Sequence, residues 1–426
     1  MKLNYKQTFF ISLAFMSICA FWQLYDNIIP LILANTFHLK ETPTGVIMAL
    51  DNVLALFLLP LFGAFSDKVH TRIGKRIPFI LVGTILSTIL MIFLPIADRN
   101  ENFLLYIIVL GILLISMGSY RSPAVALMPD VTPKALRSSA NAIINLMGTL
   151  GAIFTLIMVR LLIPKVSKPD YTNVFMAVAI FMLVCIGILL ITIRENKLSS
   201  TVLLEQERKE SNGSIESSAH NKLPKNVMRS LVYLLVSVFL WFTAYNAITT
   251  AYSRYAAKVW GLQGGSFADT LLVATGAATI SYIPIGIISS KIGRKKTILA
   301  GIILITISYF LGFLFVSFSP IIYGVFALTG IGWAAINVNS YPMAVDMSKG
   351  FDVGKYTGLY YIFSMSAQII TPILSGIFLE NISYKTLFPY SVFFSVLSFC
   401  TMLKVAHGDI KPSKKKSMLE NFDIDD

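Results

Sequence analysis

Apolar residues run along this chain in long stretches of about twenty residues, separated by short polar or basic breaks. Segments of this length satisfy their backbone hydrogen bonds internally as helices, whereas the strands of a membrane barrel would be shorter and alternate in polarity. The pattern therefore predicts an all-α membrane protein with twelve transmembrane helices. Their expected limits are 9–35, 44–66, 77–96, 103–129, 138–162, 172–193, 229–257, 267–290, 297–317, 320–346, 355–379 and 384–406.

The longest polar connection divides these helices into two groups of six. It covers residues 195–228 and mixes Lys and Arg with Glu, Ser, Asn and Gly, which is typical of a solvated linker. We therefore expect an N-terminal six-helix bundle over 1–194 and a C-terminal six-helix bundle over 229–406. The segment 407–426 is expected to be a polar tail.

Composition and charge support a polytopic membrane protein. Hydrophobic residues make up 55% of the chain and charged residues only 13%, which excludes an ordinary soluble domain. The net charge of +13 could indicate nucleic-acid binding, but the basic residues form short clusters between apolar stretches, as topology signals do. The Lys and Arg residues outside the spans lie mostly on the side of the termini, so both termini are expected to be cytoplasmic in the plasma membrane. The opposite side has only Lys40, Arg99, Lys165, Lys168, Lys258 and Lys385.

Two short motifs occur twice, at matching places in the two halves. The loop after the second span begins Gly-Ala-Phe-Ser-Asp-Lys at Gly63, and the loop after the eighth begins Gly-Ile-Ile-Ser-Ser-Lys at Gly286, 223 positions later. The fourth span ends in a Pro-Ala-Val-Ala-Leu-Met-Pro-Asp segment from Pro123, and the tenth in Pro-Met-Ala-Val-Asp from Pro342, 219 positions later. The duplication indicates two related halves, as in transporters built from repeats.

The charged and small residues of these motifs can pair at helix ends and hold one side of the membrane closed. The alternative is that the basic loops serve only as topology signals, and their duplication at the same topological position argues against it. We therefore predict a cytoplasmic gate formed by Gly63, Asp67, Lys68, Arg72, Arg76, Asp130, Arg137, Lys291, Arg294 and Asp346.

Together with Tyr25-Asp26, the Tyr120-Arg121 segment and the segment from Trp241 to Asn246, these motifs resemble the major facilitator superfamily. Within it, the chain is similar to the glycoside-pentoside-hexuronide:cation symporter group and its sucrose:proton branch. The resemblance implies two six-helix bundles around a central cavity, alternating access, and cation-driven uptake of a sugar or glycoside. Sodium-coupled melibiose permeases have two acids where this chain has Ala55 and Leu59, which favours a proton as the coupling ion.

Two acidic residues lie deep in the first two spans. Asp26 is expected about 14 Å below the outer end of span 1 and Asp51 about 10 Å below the outer end of span 2. If the two face each other away from water, repulsion would let one carboxyl group load and release a proton. We predict that Asp26 and Asp51 couple transport to the cation. The alternative is that Asp51 and Asn52 only bond a neighbouring helix.

A further set of polar and aromatic residues is expected to bind the substrate. Polar residues recur every fourth residue in span 5 (Asn, Asn and Thr) and in span 11 (Tyr, Ser and Gln). Contact between such a polar stripe and lipid would cost free energy. Aromatic faces beside hydrogen-bond donors suit sugars, although Trp and Tyr also mark membrane interfaces. The predicted residues are Trp22, Tyr25, Arg121, Asn141, Asn145, Trp241, Tyr245, Asn246, Thr249, Asn337, Tyr360, Ser364 and Gln368. Two other arginines, Arg160 and Arg254, are expected to extend towards the outer surface.

Other functional classes have weaker support. The four histidines lie outside the spans and no catalytic or phosphate-binding motif occurs, so we expect no enzyme activity and no cofactor beyond the coupling ion. The expected partners are a sugar or glycoside and the lipid bilayer, with no nucleic acid and a monomeric state. Two alternatives stay open, namely an exporter of amphiphilic small molecules and a membrane receptor that does not transport.

Overall fold

The computed structural model describes residues 3–133, 136–166, 168–199, 224–347 and 353–409. Twelve helices in this part of the chain are long and apolar enough to cross a membrane, which confirms the predicted all-α fold. Their ends lie within a few residues of the expected limits. The helices are α1 (Tyr5–Asn35), α2 (Glu41–Lys68), α3 (Ile77–Arg99), α4 (Phe103–Val131), α5 (Arg137–Leu162), α6 (Thr172–Thr192), α7 (Lys225–Lys258), α8 (Ala268–Ile292), α9 (Arg294–Leu314), α10 (Ile321–Met347), α11 (Val353–Asn381) and α12 (Leu387–Leu403).

The contacts divide the chain into two compact units. Unit 1 consists of Met1–Phe37 and Asp51–Glu216, and unit 2 of His38–Leu50 and Ser217–Asp426. The first residues of α2 therefore group with unit 2, and the rest of that helix groups with unit 1. The expected bundle limits stay predictions, and most of the expected linker and tail lies outside the described residues.

The same helix pairs pack against each other in both units. In unit 1, α1 packs on α5 and α6, and α3 packs on α4 and α6. In unit 2, α7 packs on α11 and α12, and α9 packs on α10 and α12. Each pair recurs six helices later, so the duplicated motifs do belong to two pseudo-symmetric six-helix arrangements.

Side-chain hydroxyl groups form hydrogen bonds between neighbouring helices within each unit. Between α3 and α4, the hydroxyls of Ser87 and Ser116 lie 2.9 Å apart, and Thr155 of α5 donates to the carbonyl of Ala20 in α1 at 2.8 Å. In unit 2, Ser237 of α7 and Thr401 of α12 lie 2.7 Å apart. Such bonds stabilise helix contacts where lipid offers polar groups no partner.

Candidate functional site

One cluster of predicted residues forms in unit 1, where α1 brings together Trp22, Tyr25 and Asp26. The rings of Trp22 and Tyr25 meet edge to face, with centroids 5.3 Å apart. From α4, the guanidinium carbon of Arg121 lies 5.6 Å from the centroid of the Trp22 ring. Asp26 lies within electrostatic range of both Asp51 and Arg121. The structure therefore brings the two predicted coupling acids to one arginine and two aromatic rings.

Several polar atoms of this cluster have no partner among the described residues. The indole nitrogen of Trp22 and the hydroxyl of Tyr25 are buried without a hydrogen bond. Asp51 accepts a hydrogen bond from its neighbour Asn52 at 2.8 Å. Because an unpaired buried donor costs free energy, these atoms indicate a place where a polar ligand would be stabilised.

The polar stripe of α5 belongs to the same unit, since α5 packs against α1. Asn141 and Asn145 are partly exposed, and both have polar contacts within the chain. Thr149 donates to the carbonyl of Asn145 at 3.0 Å. All three polar side chains of this stripe are therefore engaged within the chain, and their role in substrate binding stays a prediction.

Unit 2 contains a second aromatic cluster, built from α7 and α10. The rings of Tyr245 and Trp333 stack with centroids 3.6 Å apart and an interplanar angle of 5°, and Phe242 meets Trp333 edge to face. Trp241 is almost completely buried, and its indole nitrogen has no hydrogen-bond partner among the described residues. The side-chain amide nitrogen of Asn246 is likewise buried without a hydrogen-bond partner among the described residues. Unit 2 thus also combines aromatic rings with unpaired donors.

The other predicted substrate residues of unit 2 are engaged to different extents. The hydroxyl of Tyr360 lies 2.8 Å from that of Ser340, and Ser364 donates to a carbonyl of its own helix at 3.1 Å. The hydroxyl of Thr249 also donates within its own helix, to the backbone carbonyl of Asn246 at 3.3 Å. The remaining two predicted residues, on α10 and α11, are a buried Asn337 and a partly exposed Gln368.

The first of the duplicated motifs forms a charge cluster around Arg76, at the start of α3. Its guanidinium donates to Asp130 at 2.8 Å and also bonds Asp67, Ser66 and the carbonyl of Gly63. Lys75 lies 3.1 Å from Asp130 as well. We call Arg76, Asp67, Ser66, Asp130 and Lys75 the Arg76 cluster. Its arginine side chain is only 6% exposed.

Glu195, which no motif in the sequence marked, completes this region. Glu195 is 1% exposed, and its carboxylate accepts hydrogen bonds at 3.0 Å from the backbone N–H groups of Lys75, Arg76 and Ile77. It therefore caps the start of α3, where free N–H groups and the helix dipole favour an anion. The approach is close because Gly74, with φ 133°, has no side chain to overlap the carboxylate.

The second motif forms a smaller version around Arg294, the first residue of α9. Arg294 pairs with Asp346 and donates to the carbonyl of Pro342 at 2.8 Å. Asp409 accepts from the backbone N–H of Lys295 at 2.9 Å, so it caps α9 as Glu195 caps α3. We call Arg294, Asp346 and Asp409 the Arg294 cluster. Glu195 and Asp409 each follow the last span of their half, a signal in the sequence that could have found both.

Five predicted gate residues lie outside these clusters as defined, and one of them, Gly63, contacts Arg76 through its backbone carbonyl. Arg137 donates to the carbonyls of Pro129 and Thr132 at 2.7 and 3.3 Å, and so closes the end of α4. The remaining three have exposed side chains and are Lys68, Arg72 and Lys291. A gating role for any of the predicted residues stays a prediction.

Arg254 does not extend to the surface, as its position near the outer end of α7 led us to expect. It is 4% exposed, and its Nε atom lies 3.0 Å from a carboxylate oxygen of Glu41. Lys258 lies 3.7 Å from the other oxygen of the same carboxylate. The expectation was wrong because the first residues of α2 pack in unit 2 and bring an acid to this side of α7.

Comparison with known proteins supplies the family. A family model described as Major Facilitator Superfamily matches residues 11–280 and 234–421. Sucrose transport protein SUT3 of Oryza sativa subsp. indica is 29% identical over 138 residues, which cover 28% of this chain and only 27% of that protein. SUC3 of Arabidopsis thaliana is 27% identical over 138 residues, which cover 23% of its length.

A solved structure of the E. coli xylose transporter XylE resembles the chain with a TM-score of 0.66 at 12% identity, covering 97% of both chains. At this identity the likeness shows the fold alone. The family model, in contrast, matches most of the chain. This protein is therefore a multi-pass membrane protein and belongs to the Major Facilitator Superfamily.

Proposed function

We propose that this transporter imports a sugar or glycoside together with a proton. The observation that carries the proposal is the cluster in unit 1, where Asp26 and Asp51 lie near Arg121 and beside the unpaired donors of Trp22 and Tyr25. The names of the matched sucrose transport proteins support the substrate class. A carboxyl pair beside a ligand cluster supports proton coupling, because one site can then respond to both.

The chemistry of both clusters favours a carbohydrate. The apolar C–H face of a sugar ring packs on aromatic rings such as the stacked Tyr245 and Trp333. Sugar hydroxyl groups can accept hydrogen bonds from the unpaired nitrogen of Trp22 in unit 1 and, separately, from those of Trp241 and Asn246 in unit 2. Arg121 offers a planar fork of donors to hydroxyl oxygens. A purely apolar substrate would leave all these donors unsatisfied.

Coupling requires that the proton and the sugar favour the same state of the transporter. When Asp26 or Asp51 is protonated, the charge that Arg121 must balance falls by one. Arg121 and the remaining carboxylate then balance each other, so the loaded site carries no excess negative charge through the membrane. Proton and sugar cross together only if this state is stabilised over the singly loaded ones.

The distribution of Lys and Arg supports cytoplasmic termini, and we place the transporter in the plasma membrane as a monomer. In this orientation, import follows the inward proton gradient. The start of α3 and the start of α9 then face the cytoplasm, where the Arg76 and Arg294 clusters would act as the two parts of a gate.

The proposal can be tested with purified protein in liposomes, by recording internal pH while glucosides, galactosides and pentosides are added outside. We expect acidification inside with a subset of these sugars. Acidification with none of them, with sodium present or absent, would contradict the proposal and favour an exporter of amphiphiles or a receptor that does not transport.

The role of Asp26 has its own test. We expect Asp26→Asn to retain exchange of labelled sugar across the liposome membrane but to lose uphill accumulation, because the amide cannot carry a proton. Asp170→Asn is the matched control, since Asp170 is an exposed carboxylate outside the cluster. Normal accumulation by the Asp26 variant would exclude this residue as the coupling group.

A further inference from the structure

A cavity of about 450 Å³ lies in unit 1 between the start of α1 and the end of α6. Its basic lining consists of Lys6, Arg194 and Lys197, and its apolar lining includes Phe10 and Ile193. We call it the basic pocket. A cavity lined by cations on one side and apolar side chains on the other suits an amphiphile with an anionic head.

The positive charge of the basic pocket is not neutralised by the acid next to it. Glu195 directly follows Arg194, but its carboxylate is bound to the backbone at the start of α3. No Asp or Glu is among the described residues that line the pocket. Lys6 and Arg194 have exposed side chains, and no ion pair joins either of them to another described residue. Both cations are available to an anion from outside.

The surroundings of the basic pocket point to the bilayer as the source of that anion. The pocket lies at the start of α1 and the end of α6, two helices long and apolar enough to cross a membrane, and the ends of such helices lie near lipid headgroups. On the neighbouring helix surfaces, Ile191 is 85% exposed and Phe9 is 45% exposed. These apolar side chains face outward and would lie against acyl chains, whereas a soluble anion would make no use of them.

We propose that the basic pocket binds an anionic phospholipid of the inner leaflet. Arg194 and Lys6 hold the phosphate, with Arg194 supplying a planar fork of donors for two of its oxygens. The acyl chains run along the surface that contains Phe9 and Ile191. The inner leaflet follows from the cytoplasmic orientation proposed above, whereas the lipid site depends neither on the substrate nor on proton coupling.

Native mass spectrometry of the full-length protein in detergent tests the proposal, with phosphatidylglycerol and phosphatidylcholine titrated in parallel. We expect tighter binding of phosphatidylglycerol by the unaltered protein. The double variant Lys6→Gln/Arg194→Gln should weaken that binding by roughly tenfold or more, since each basic residue near an anionic headgroup contributes measurably. The double variant Lys225→Gln/Lys296→Gln removes the same charge from exposed positions in unit 2 and should change binding by less than about twofold.

Three outcomes would overturn the proposal. They are equal affinity for the two lipids, equal loss in the two double variants, and displacement of phosphatidylglycerol by soluble glycerol phosphate. The last result would assign the pocket to a free phosphate compound instead of a lipid. Lys6→Arg/Arg194→Lys keeps the charge and should retain most of the binding, so a loss caused by misfolding is distinguished from a loss of contacts.

Discussion

Unit 1 and unit 2 each bury an arginine at the start of their third helix, but they hold it in different ways. Arg76 bonds two carboxylates, a hydroxyl and a carbonyl, whereas Arg294 bonds one carboxylate and one carbonyl. The sequence explains part of the difference. Where the first motif has Asp67, the second has Ser290, which bonds a carbonyl of its own helix. Two copies of one motif can therefore differ in stability, because the arginine of the first copy is bonded to more partners than the arginine of the second.

The largest difference is expected when the main acid of each cluster is removed. Asp346→Ala leaves Arg294, whose side chain is 14% exposed, with only a carbonyl partner and should lower the free energy of unfolding by about 3 kcal/mol. Asp130→Ala leaves Arg76 bonded to Asp67 and should cost about 1 kcal/mol. Chemical unfolding in detergent, followed by circular dichroism, measures both. Equal losses would show that the extra partners of Arg76 do not compensate.

The next difference concerns the carboxylates that cap the third helices. Glu195 is buried and accepts three backbone N–H bonds, whereas Asp409 is exposed and accepts one. Glu195→Gln places an amide against three donors and should cost about 2 kcal/mol. Asp409→Asn should have a smaller effect. The midpoints of thermal unfolding give the order, and a larger effect at Asp409 would contradict the comparison.

The smallest effect is expected from making the second motif more like the first. Ser290→Asp offers Arg294 a second carboxylate and should raise stability by at most about 1 kcal/mol, because the new acid is partly solvated. Combined with Asp346→Ala, it should recover part of the lost stability. The same unfolding measurement decides the point, and strict additivity of the two substitutions would show that the introduced carboxylate does not reach Arg294.

The sequence predicted the fold well because membrane spans are encoded locally, by length and apolarity. It also marked Arg76, Asp67 and Asp130 of one cluster and Arg294 and Asp346 of the other, since the motifs are duplicated, but it did not mark Asp409. It did not predict Glu195, which lies at the edge of the expected linker and finds its partners more than a hundred positions earlier. The burial of Arg254 was missed for the same reason, because its partner Glu41 is distant in sequence.

The positions of the tryptophans allow intrinsic fluorescence to report on the two units separately. The chain has four tryptophans: Trp22 and Trp333 belong to the aromatic clusters described above, and Trp241 lies on the same helix as Tyr245. The fourth, Trp260, donates its indole N–H to a carbonyl at 2.9 Å and lies among other rings. Trp22 is the single tryptophan of unit 1, so a variant with the other three replaced by Phe would emit from that unit alone. Ligand arrival in unit 1 could then be followed by fluorescence without any attached dye.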